Sequence, residues 1–311
     1  MDRVVTLFGG GGFAGRYVAQ ALYKAGVRVR IAQRDPRQAF FLKPLGALGQ
    51  TQFVRCDIRD EDQVAAALKG SWGAVNLVGI LKGNFRQVHV EGARRIAEAA
   101  AAASVQSLAH ISALGADTES PSAYGRSKGL GEEAVRAAFP HATIIRPSIL
   151  FGREDAFINR FAGMARMLPI LPVLRGQAKF QPLYAADFGR AVSAAVTDPE
   201  KCAGKTYELG GPQVMTMREI YEYVCDATRH ERSIVDVPDT IGALAAKFTG
   251  WLPGAPITQD QWLMLQADNV TSANAPGLKD LGVTPTPLAA VSEGWLTRYR
   301  DHGRFAGKQA Y

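Results

Sequence analysis

The chain has 311 residues, room for one large α/β domain or a domain with a smaller lobe at about 100–200 residues per domain, and its 47% hydrophobic and 21% charged content excludes intrinsic disorder. The 32 glycines lack a three-residue period, which excludes collagen, and the three scattered cysteines (Cys56, Cys202, Cys225) spell neither a disulfide framework nor a zinc site. The formal net charge of +7 is spread without a basic run or basic–aromatic interleaving, which argues against nucleic acid as a partner, and no metal cluster is legible.

Val4 to Phe8 predicts a short buried strand that breaks straight into four glycines, so it does not read as a signal peptide. Ala14 to Ala25 has helical spacing and stops at Gly26. Val27 to Gln33 alternates like a second strand, a helix-capable stretch ends near Gly46 or Gly49, and Gln52 to Cys56 predicts a third strand. Glu61 to Leu68 follows as a helix, Ala74 to Val78 as a fourth strand, and the alanine-rich Val88 to Ala103 as one long buried helix. Ser107 to Ser112 is a fifth strand, Ala123 to Phe139 a helix, and Ala142 to Arg146 a sixth strand stopped by Pro147. Strands alternating with helices at this pitch predict right-handed crossovers, hence a doubly wound parallel α/β sheet of the Rossmann kind.

Beyond Pro147 the alternation loosens: a helix over Ala156 to Leu168, a strand over Phe180 to Tyr184, a helix over Asp187 to Thr197 and a strand over Lys205 to Leu209. The expected division is a dinucleotide-binding core over 1–150, a cap segment over 151–177, the last core strands over 178–211, and a cap lobe with a basic tail over 212–311. No stretch of about 18 apolar residues reads as a membrane span. The apolar segment Thr240 to Leu252, with Lys247 and Trp251, reads either as a core helix of the cap or as one lying against lipid or a subunit. The tail carrying Arg298, Arg300, His302, Arg304 and Lys308 reads as basic and mobile or simply solvated.

The chemistry concentrates at two places. Phe8-Gly9-Gly10-Gly11-Gly12-Phe13-Ala14-Gly15 satisfies both GxxGxxG and GxGxxG between a strand and a helix. A tight turn there, a bare backbone and the positive end of a helix suit a pyrophosphate, so Gly9, Gly10, Gly12, Phe13 and Gly15 are candidates to bind a dinucleotide. At the end of the second strand Gln33-Arg34-Asp35 stands where NAD-binding chains carry an acidic residue for the ribose hydroxyls. Arg34 can instead clasp a 2′-phosphate, which favours NADP(H) over NAD(H), with Asp35 the acceptor if the strand ends later. Asp57 and Ile58, after the third strand, either meet the adenine or, for Asp57, cap the next helix in competition with Asp60 and Asp62.

The second place is Tyr124-Gly125-Arg126-Ser127-Lys128, which puts a phenol and an ammonium on one helix face. The ammonium is expected to lower the phenol's pKa so that Tyr124 can exchange a proton with a carbonyl or alcohol, with Ser112 reaching the same oxygen. With Asn76-Leu77-Val78-Gly79 and Arg146-Pro147-Ser148, this ordered set resembles the extended and atypical short-chain dehydrogenase/reductases. The resemblance implies a sheet of about seven strands with a C-terminal cap. It also implies Val78 and Gly79 beneath the cofactor, Lys128 on the nicotinamide ribose and the turn after Pro147 at the carboxamide.

Within that superfamily, Ala142 to Ala156, Asn159-Arg160-Phe161, Gln181-Pro182-Leu183-Tyr184 with Asp187, and Pro276-Gly277-Leu278 with Asp280-Leu281-Gly282 are similar to one family. That family is the dinucleotide-binding accessory subunits of respiratory complex I, the alpha subcomplex subunit 9 group, with their bacterial relatives. The likeness implies a structural NADPH without established turnover. It also implies core subunits of complex I as partners, on the peripheral arm near the quinone site. The implied place is the cytoplasmic side of a bacterial inner membrane, held peripherally with possible contact to the membrane surface. The complete Ser112, Tyr124 and Lys128 set leaves open a free-standing NADP-dependent reductase, dehydratase or epimerase. One departure is that the helix asparagine of catalytic relatives falls at Val88-His89-Val90, so a relay through that asparagine does not carry over, and His89 reads as a packed or capping histidine.

Overall fold

The computed structural model describes residues 3–249 and 257–303, which divide into two compact units. Among the described residues, the first unit gathers 3–147, 185–210 and 271–285; the second gathers 148–184, 211–249, 257–270 and 286–303. Two of the expected boundaries change. Residues 178–184 belong to the second unit, because Lys179–Phe180 pairs antiparallel with Met215–Thr216 and Leu183–Tyr184 pairs with Leu150–Phe151. Residues 271–285 join the first, where the Glu208 N–H donates to the Pro276 carbonyl (2.9 Å) and its carboxylate accepts from the Ser272 N–H (2.7 Å).

The first unit is built on a seven-stranded, wholly parallel sheet. Its strands are β1 (Val4–Phe8), β2 (Arg28–Gln33), β3 (Thr51–Arg55), β4 (Gly73–Asn76), β5 (Ser107–Ile111), β6 (Thr143–Pro147) and the edge strand Thr206–Leu209. Their order is edge strand, β6, β5, β4, β1, β2, β3. The chain builds outward from β1 in one direction and then in the other, so the winding reverses between β1 and β4, where ligands bind in folds of this kind. β4 and β5 are buried along their whole length, as strands covered on both faces must be.

Helix α1 (Phe13–Lys24) packs on Ala185–Thr197 so closely that a Cβ on Gly189 would lie 2.4 Å from the Tyr17 carbonyl oxygen. A second apolar core includes side chains of α2 (Glu61–Leu68), α3 (Gly92–Ala102) and α4 (Ala123–Ala138), among them Val64, Ile96 and Val135. The stretch Val88 to Ala103, expected as a single α-helix, opens as a π-helical turn over Arg86–Glu91. Pro147 does not stop β6 but ends inside it, paired with Leu209, because there the strand needs only its carbonyl, which accepts from the Leu114 N–H at 3.1 Å. Pro36–Leu45 is a 3-10 helix capped by Asp35.

In the second unit, helices Ile158–Met167, Met217–Thr228 and Leu288–Leu296 enclose a core around Phe161, Ile220 and Trp295, beside the parallel pair Ile170–Leu174 and Ser233–Val237. The strand expected over Phe180 to Tyr184 is two short pieces separated by Gln181 and Pro182. The apolar helix runs Asp239–Thr249: Ala246 is buried with Trp262, while Ile241, Leu244 and Phe248 are exposed. Trp251, Leu252 and Pro253 lie outside the described residues, as do Arg304 and Lys308. Arg298 and Arg300, read as the start of a mobile tail, are tied down: Arg298 to Asn159 (2.9 Å), and Arg300 to the Ala227 carbonyl (2.9 Å) and Glu293 (2.7 Å). Among the described residues no helix is long and apolar enough to cross a membrane.

Candidate functional site

All of the candidate residues sit in the first unit, at the carboxyl ends of the parallel strands. Gly9 leaves β1 with φ +78°, a left-handed turn that favours glycine, and its N–H reaches the Ala32 carbonyl of β2 at 3.0 Å. Gly10 and Gly15 are required by packing within the protein. A Cβ on Gly10 would lie 2.8 Å from Ile31 Cδ1, and one on Gly15 would lie 2.5 Å from the Gly10 carbonyl oxygen, where helix meets turn.

Gly12 differs. A Cβ there would meet only the Gly9 carbonyl oxygen, at 3.4 Å, and its φ of −76° is open to any residue. The fold's own contacts therefore do not demand glycine at the exposed first position before α1, whereas a ligand lying against the turn does. The same helix start has no side-chain cap, so its amide end is free of a side-chain acceptor. A pyrophosphate fits both facts. Phe13 opens the helix and rests edge-on against Tyr17, centroids 5.7 Å apart.

Gln33 performs a task that the sequence did not announce. Its Oε1 accepts the Gly11 N–H (3.0 Å) and its Nε2 donates to the Asp35 carbonyl (2.7 Å), so it braces the glycine turn against β2. Asp35 is engaged elsewhere: it caps the 3-10 helix and takes both arms of Arg37 (3.0 and 3.2 Å). Arg34 is exposed and lines a depression of about 520 Å³ with Arg55, Asp57, Arg59, Asp60, Gln63 and Gln87. Arg55 arrives there because β3 pairs Gln33 with Arg55.

Asp57 does not cap α2; Asp60 does, accepting the Gln63 N–H at 3.1 Å. The Asp57 carboxylate instead binds the Arg59 guanidinium (2.5 to 3.1 Å), whose hydrogen bonds hold its pKa down to about 2. Ile58 is buried in the core against Gly92, where an added Cβ would lie 2.5 Å from its Cδ1.

At the other end of the site, the Lys128 ammonium donates to the Ile111 carbonyl at 2.9 Å, beside Ser112. Ser112 is itself buried, its N–H bonded to Ile145 (2.7 Å), and its hydroxyl has no protein partner. An orphaned buried hydroxyl is costly unless it serves something else, so it fits a ligand or substrate oxygen. Val78 faces Gly9, its Cγ2 3.2 Å from where a Cβ on Gly9 would be, and a Cβ on Gly79 would lie 3.7 Å from Lys128 Nζ and 3.8 Å from His89 Nε2. Asn76 fixes this loop: its Oδ1 accepts the Val78 N–H (3.1 Å) and its Nδ2 donates to His110 Nδ1 (3.1 Å).

The electrostatics run against the expectation for Tyr124. Burial pushes its phenol up to about 12, while burial brings Lys128 down to about 8 against an opposing pull from Glu132. The expected lowering of the phenol by the ammonium is absent because removing the phenolate from water outweighs it. Burial, then the Lys128 charge, pushes His89 down to about 3, so the imidazole stays neutral. Glu132, one turn beyond Lys128, is clasped by Arg146 of β6 through two 2.8 Å bonds, which ties the tyrosine helix to the strand ending at Pro147. Among the described residues no group of three or more metal-ligating side chains occurs.

Similarity to known proteins agrees with this layout. Residues 5–210 match the model of the NAD dependent epimerase/dehydratase family. The mouse mitochondrial NADH dehydrogenase [ubiquinone] 1 alpha subcomplex subunit 9 is 36% identical over 96% of this chain and 81% of its own length. The Neurospora crassa NADH-ubiquinone oxidoreductase 40 kDa subunit is 32% identical over 96% and 80%. A Caulobacter vibrioides ceramide reductase is 32% identical over 63% of this chain and 62% of its own. An Escherichia coli NADPH-dependent quinone oxidoreductase, solved with NADPH, shares the fold with a TM-score of 0.77 at 22% identity, covering 94% of this chain and 99% of that one. A parallel seven-stranded sheet, the glycine turn after β1 and these relatives agree: the chain has an NAD(P)-binding Rossmann fold and belongs to the NAD dependent epimerase/dehydratase family, with homology to the alpha subcomplex subunit 9 proteins over nearly its whole length.

Proposed function

We propose that this chain is an NADP(H)-binding accessory subunit of bacterial respiratory complex I, in which the dinucleotide stabilises the fold. One observation carries the reading: the similarity to complex I subunits spans 96% of the chain, well beyond the residues 5–210 that match the family model. When bound, the dinucleotide supplies a hydride carrier and three phosphate groups for the protein to grip.

The chain's own residues divide that work. The amides at the start of α1, from Phe13 to Gly15, would hold the pyrophosphate, with Gly9 and Gly10 keeping the turn against β2 and Gly12 leaving room beside it. Arg34, with Arg55 and Arg59 in the same depression, would hold the ribose 2′-phosphate. Asp57 and Ile58 would border the adenine, Val78 and Gly79 the floor, and Ser112, Tyr124, Lys128 and Pro147 the nicotinamide end. Neither Gln33 nor Asp35 offers a free carboxylate to a ribose hydroxyl, which supports NADP(H) over NAD(H). A ligand bound only by the folded state adds stability by mass action.

The partners in this reading are core subunits of complex I on the peripheral arm near the quinone site, at the cytoplasmic face of the bacterial inner membrane. Purification of complex I from detergent-solubilised membranes tests it. The chain is expected to co-purify with the complex and to release NADPH on denaturation; migration as a free protein would refute the reading.

A second reading, a free-standing NADP-dependent reductase, dehydratase or epimerase, is favoured by the orphaned Ser112 hydroxyl beside Lys128. Tyr124 would be the proton donor to a carbonyl oxygen there, although burial raises its pKa and so weakens it as an acid. Under that reading Tyr124→Phe abolishes turnover of a carbonyl substrate while NADPH stays bound.

A further inference from the structure

Between β4 and α3 the chain turns from the sheet edge onto a helix through the π-helical stretch Arg86–Glu91. Single π turns of this kind recur at functional sites. Here the residue turned inward is His89, 1% exposed. Its ring stacks on Phe85 (centroids 5.4 Å, 13° between planes) and meets Tyr124 edge-on at 5.5 Å.

Both ring nitrogens are committed. Nε2 lies 3.0 Å from the Ile80 N–H, a group that can only donate, so Nε2 carries the lone pair and the neutral ring bears its proton on Nδ1. That proton goes to Ser127 Oγ at 2.8 Å, and the Ser127 hydroxyl donates in turn to the Tyr124 carbonyl at 2.8 Å. A chain of three hydrogen bonds therefore runs from the backbone of the loop after β4, through one imidazole, to the first turn of the tyrosine helix.

We propose that His89 is a positioning residue that latches the 77–80 loop to α4, so that the floor of the dinucleotide site and the Tyr124–Lys128 face keep one spacing. The consequence for binding rests on the NADP(H) reading above; the latch itself does not. Gly79 shows what the latch sets: the side of it on which a Cβ would stand faces both groups, 3.7 Å from Lys128 Nζ and 3.8 Å from His89 Nε2. With neither nitrogen open, His89 is not a proton relay. A glutamine can replace both functions, Oε1 accepting from Ile80 and Nε2 donating to Ser127, whereas phenylalanine keeps the stacking and loses both bonds.

The test uses the full chain carrying His89→Phe, His89→Gln or Ser127→Ala, with two measurements. Hydrogen exchange at the Ile80 amide of the free protein, relative to β1 amides, reads the latch directly. In His89→Phe that exchange is expected to rise roughly tenfold and the NADPH Kd by about the same factor. Ser127→Ala is expected to shift both less, and His89→Gln to restore both to within about threefold.

The proposal fails if His89→Phe lowers the melting temperature without changing the relative Ile80 exchange, or if His89→Gln is as impaired as His89→Phe. Should His89→Phe not fold, His89→Gln and Ser127→Ala decide on the same measurements. If the wild-type chain does not bind NADPH, the cofactor reading fails and the Ile80 exchange alone decides the latch.

Discussion

Replacing Gly12 by alanine separates a glycine kept for a ligand from one kept for the fold. At Gly12 the new methyl meets nothing closer than the Gly9 carbonyl at 3.4 Å, in a backbone conformation open to any residue. Alanine is a poorer first residue before a helix than glycine, by roughly 0.5 kcal/mol. Against this, the less flexible unfolded chain contributes about 0.4–1 kcal/mol in the opposite sense, so the free protein's stability should move by no more than about 0.5 kcal/mol. The effect on binding is larger. Displacing a pyrophosphate from two amide donors forfeits two charge-assisted bonds of about 1.5 kcal/mol or more each, hence at least about a hundredfold in Kd. Thermal unfolding with and without NADPH reads both quantities. At a ligand concentration of about 100 Kd, the wild type gains roughly 2.7 kcal/mol, a shift of several degrees, and Gly12→Ala should gain almost nothing. Gly15→Ala is the control: its methyl would sit 2.5 Å from a backbone oxygen, so it should lower the melting temperature even without ligand. If Gly12→Ala keeps the NADPH-induced shift, or destabilises the free protein as much as Gly15→Ala, the reasoning is wrong.

Arg34→Ala should raise the NADPH Kd roughly tenfold to a hundredfold, as expected for one or two lost charge-assisted bonds, and leave NADH affinity unchanged by calorimetry; equal losses would show that Arg34 does not read the 2′-phosphate. Arg146→Leu strips the 3%-exposed Glu132 carboxylate of its two-pronged partner and should cost about 3–5 kcal/mol in urea unfolding. Most of that should return in the double variant with Glu132→Leu, and a double variant as unstable as the single one would count against a charge effect. Lys128 supplies a pH signature. With its folded pKa brought from 10.5 to about 8, the unfolded chain binds one more proton between those values, so stability rises with pH there. The wild type minus Lys128→Met difference should climb by about 1.4 kcal/mol per pH unit from pH 8 to 10, and Cys56 and Tyr124, both pushed up to about 12, cancel in the subtraction. A flat difference would mean that the ammonium is not buried.

The strand–helix alternation up to Pro147 was legible because each element carries its own period and its own punctuation, and Glu61 to Leu68 even has the right bounds. The glycine turn was legible for the same reason, since positive φ and close packing select one residue type. What could not be read were choices among competing side-chain partners and decisions taken across the sheet. Whether Asp57 or Asp60 caps α2 depends on which carboxylate Arg59 captures, and whether Asp35 faces a ribose depends on Arg37. Gln33 and Arg55 matter only because β2 and β3 place them side by side. The inward turn of His89 requires the π stretch, for which an alanine-rich helical pattern gives no warning. The direction of the Tyr124 shift is not in the spacing, which reveals a neighbouring ammonium but not the burial that raises the phenol.

The first unit takes residues from three separate tracts, and its last tract ends at residue 285 of 311. Before residues 206–209 leave the ribosome, β6 has an open flank of unpaired amides and carbonyls, the kind of surface on which partly made chains stick together. Completion of the nucleotide-binding half thus waits for residues 271–285, long after β6 has emerged. A nascent chain stalled anywhere between β6 and the Pro276 contact would depend on chaperones to stay soluble, and early termination in that window should yield aggregates instead of a smaller working domain.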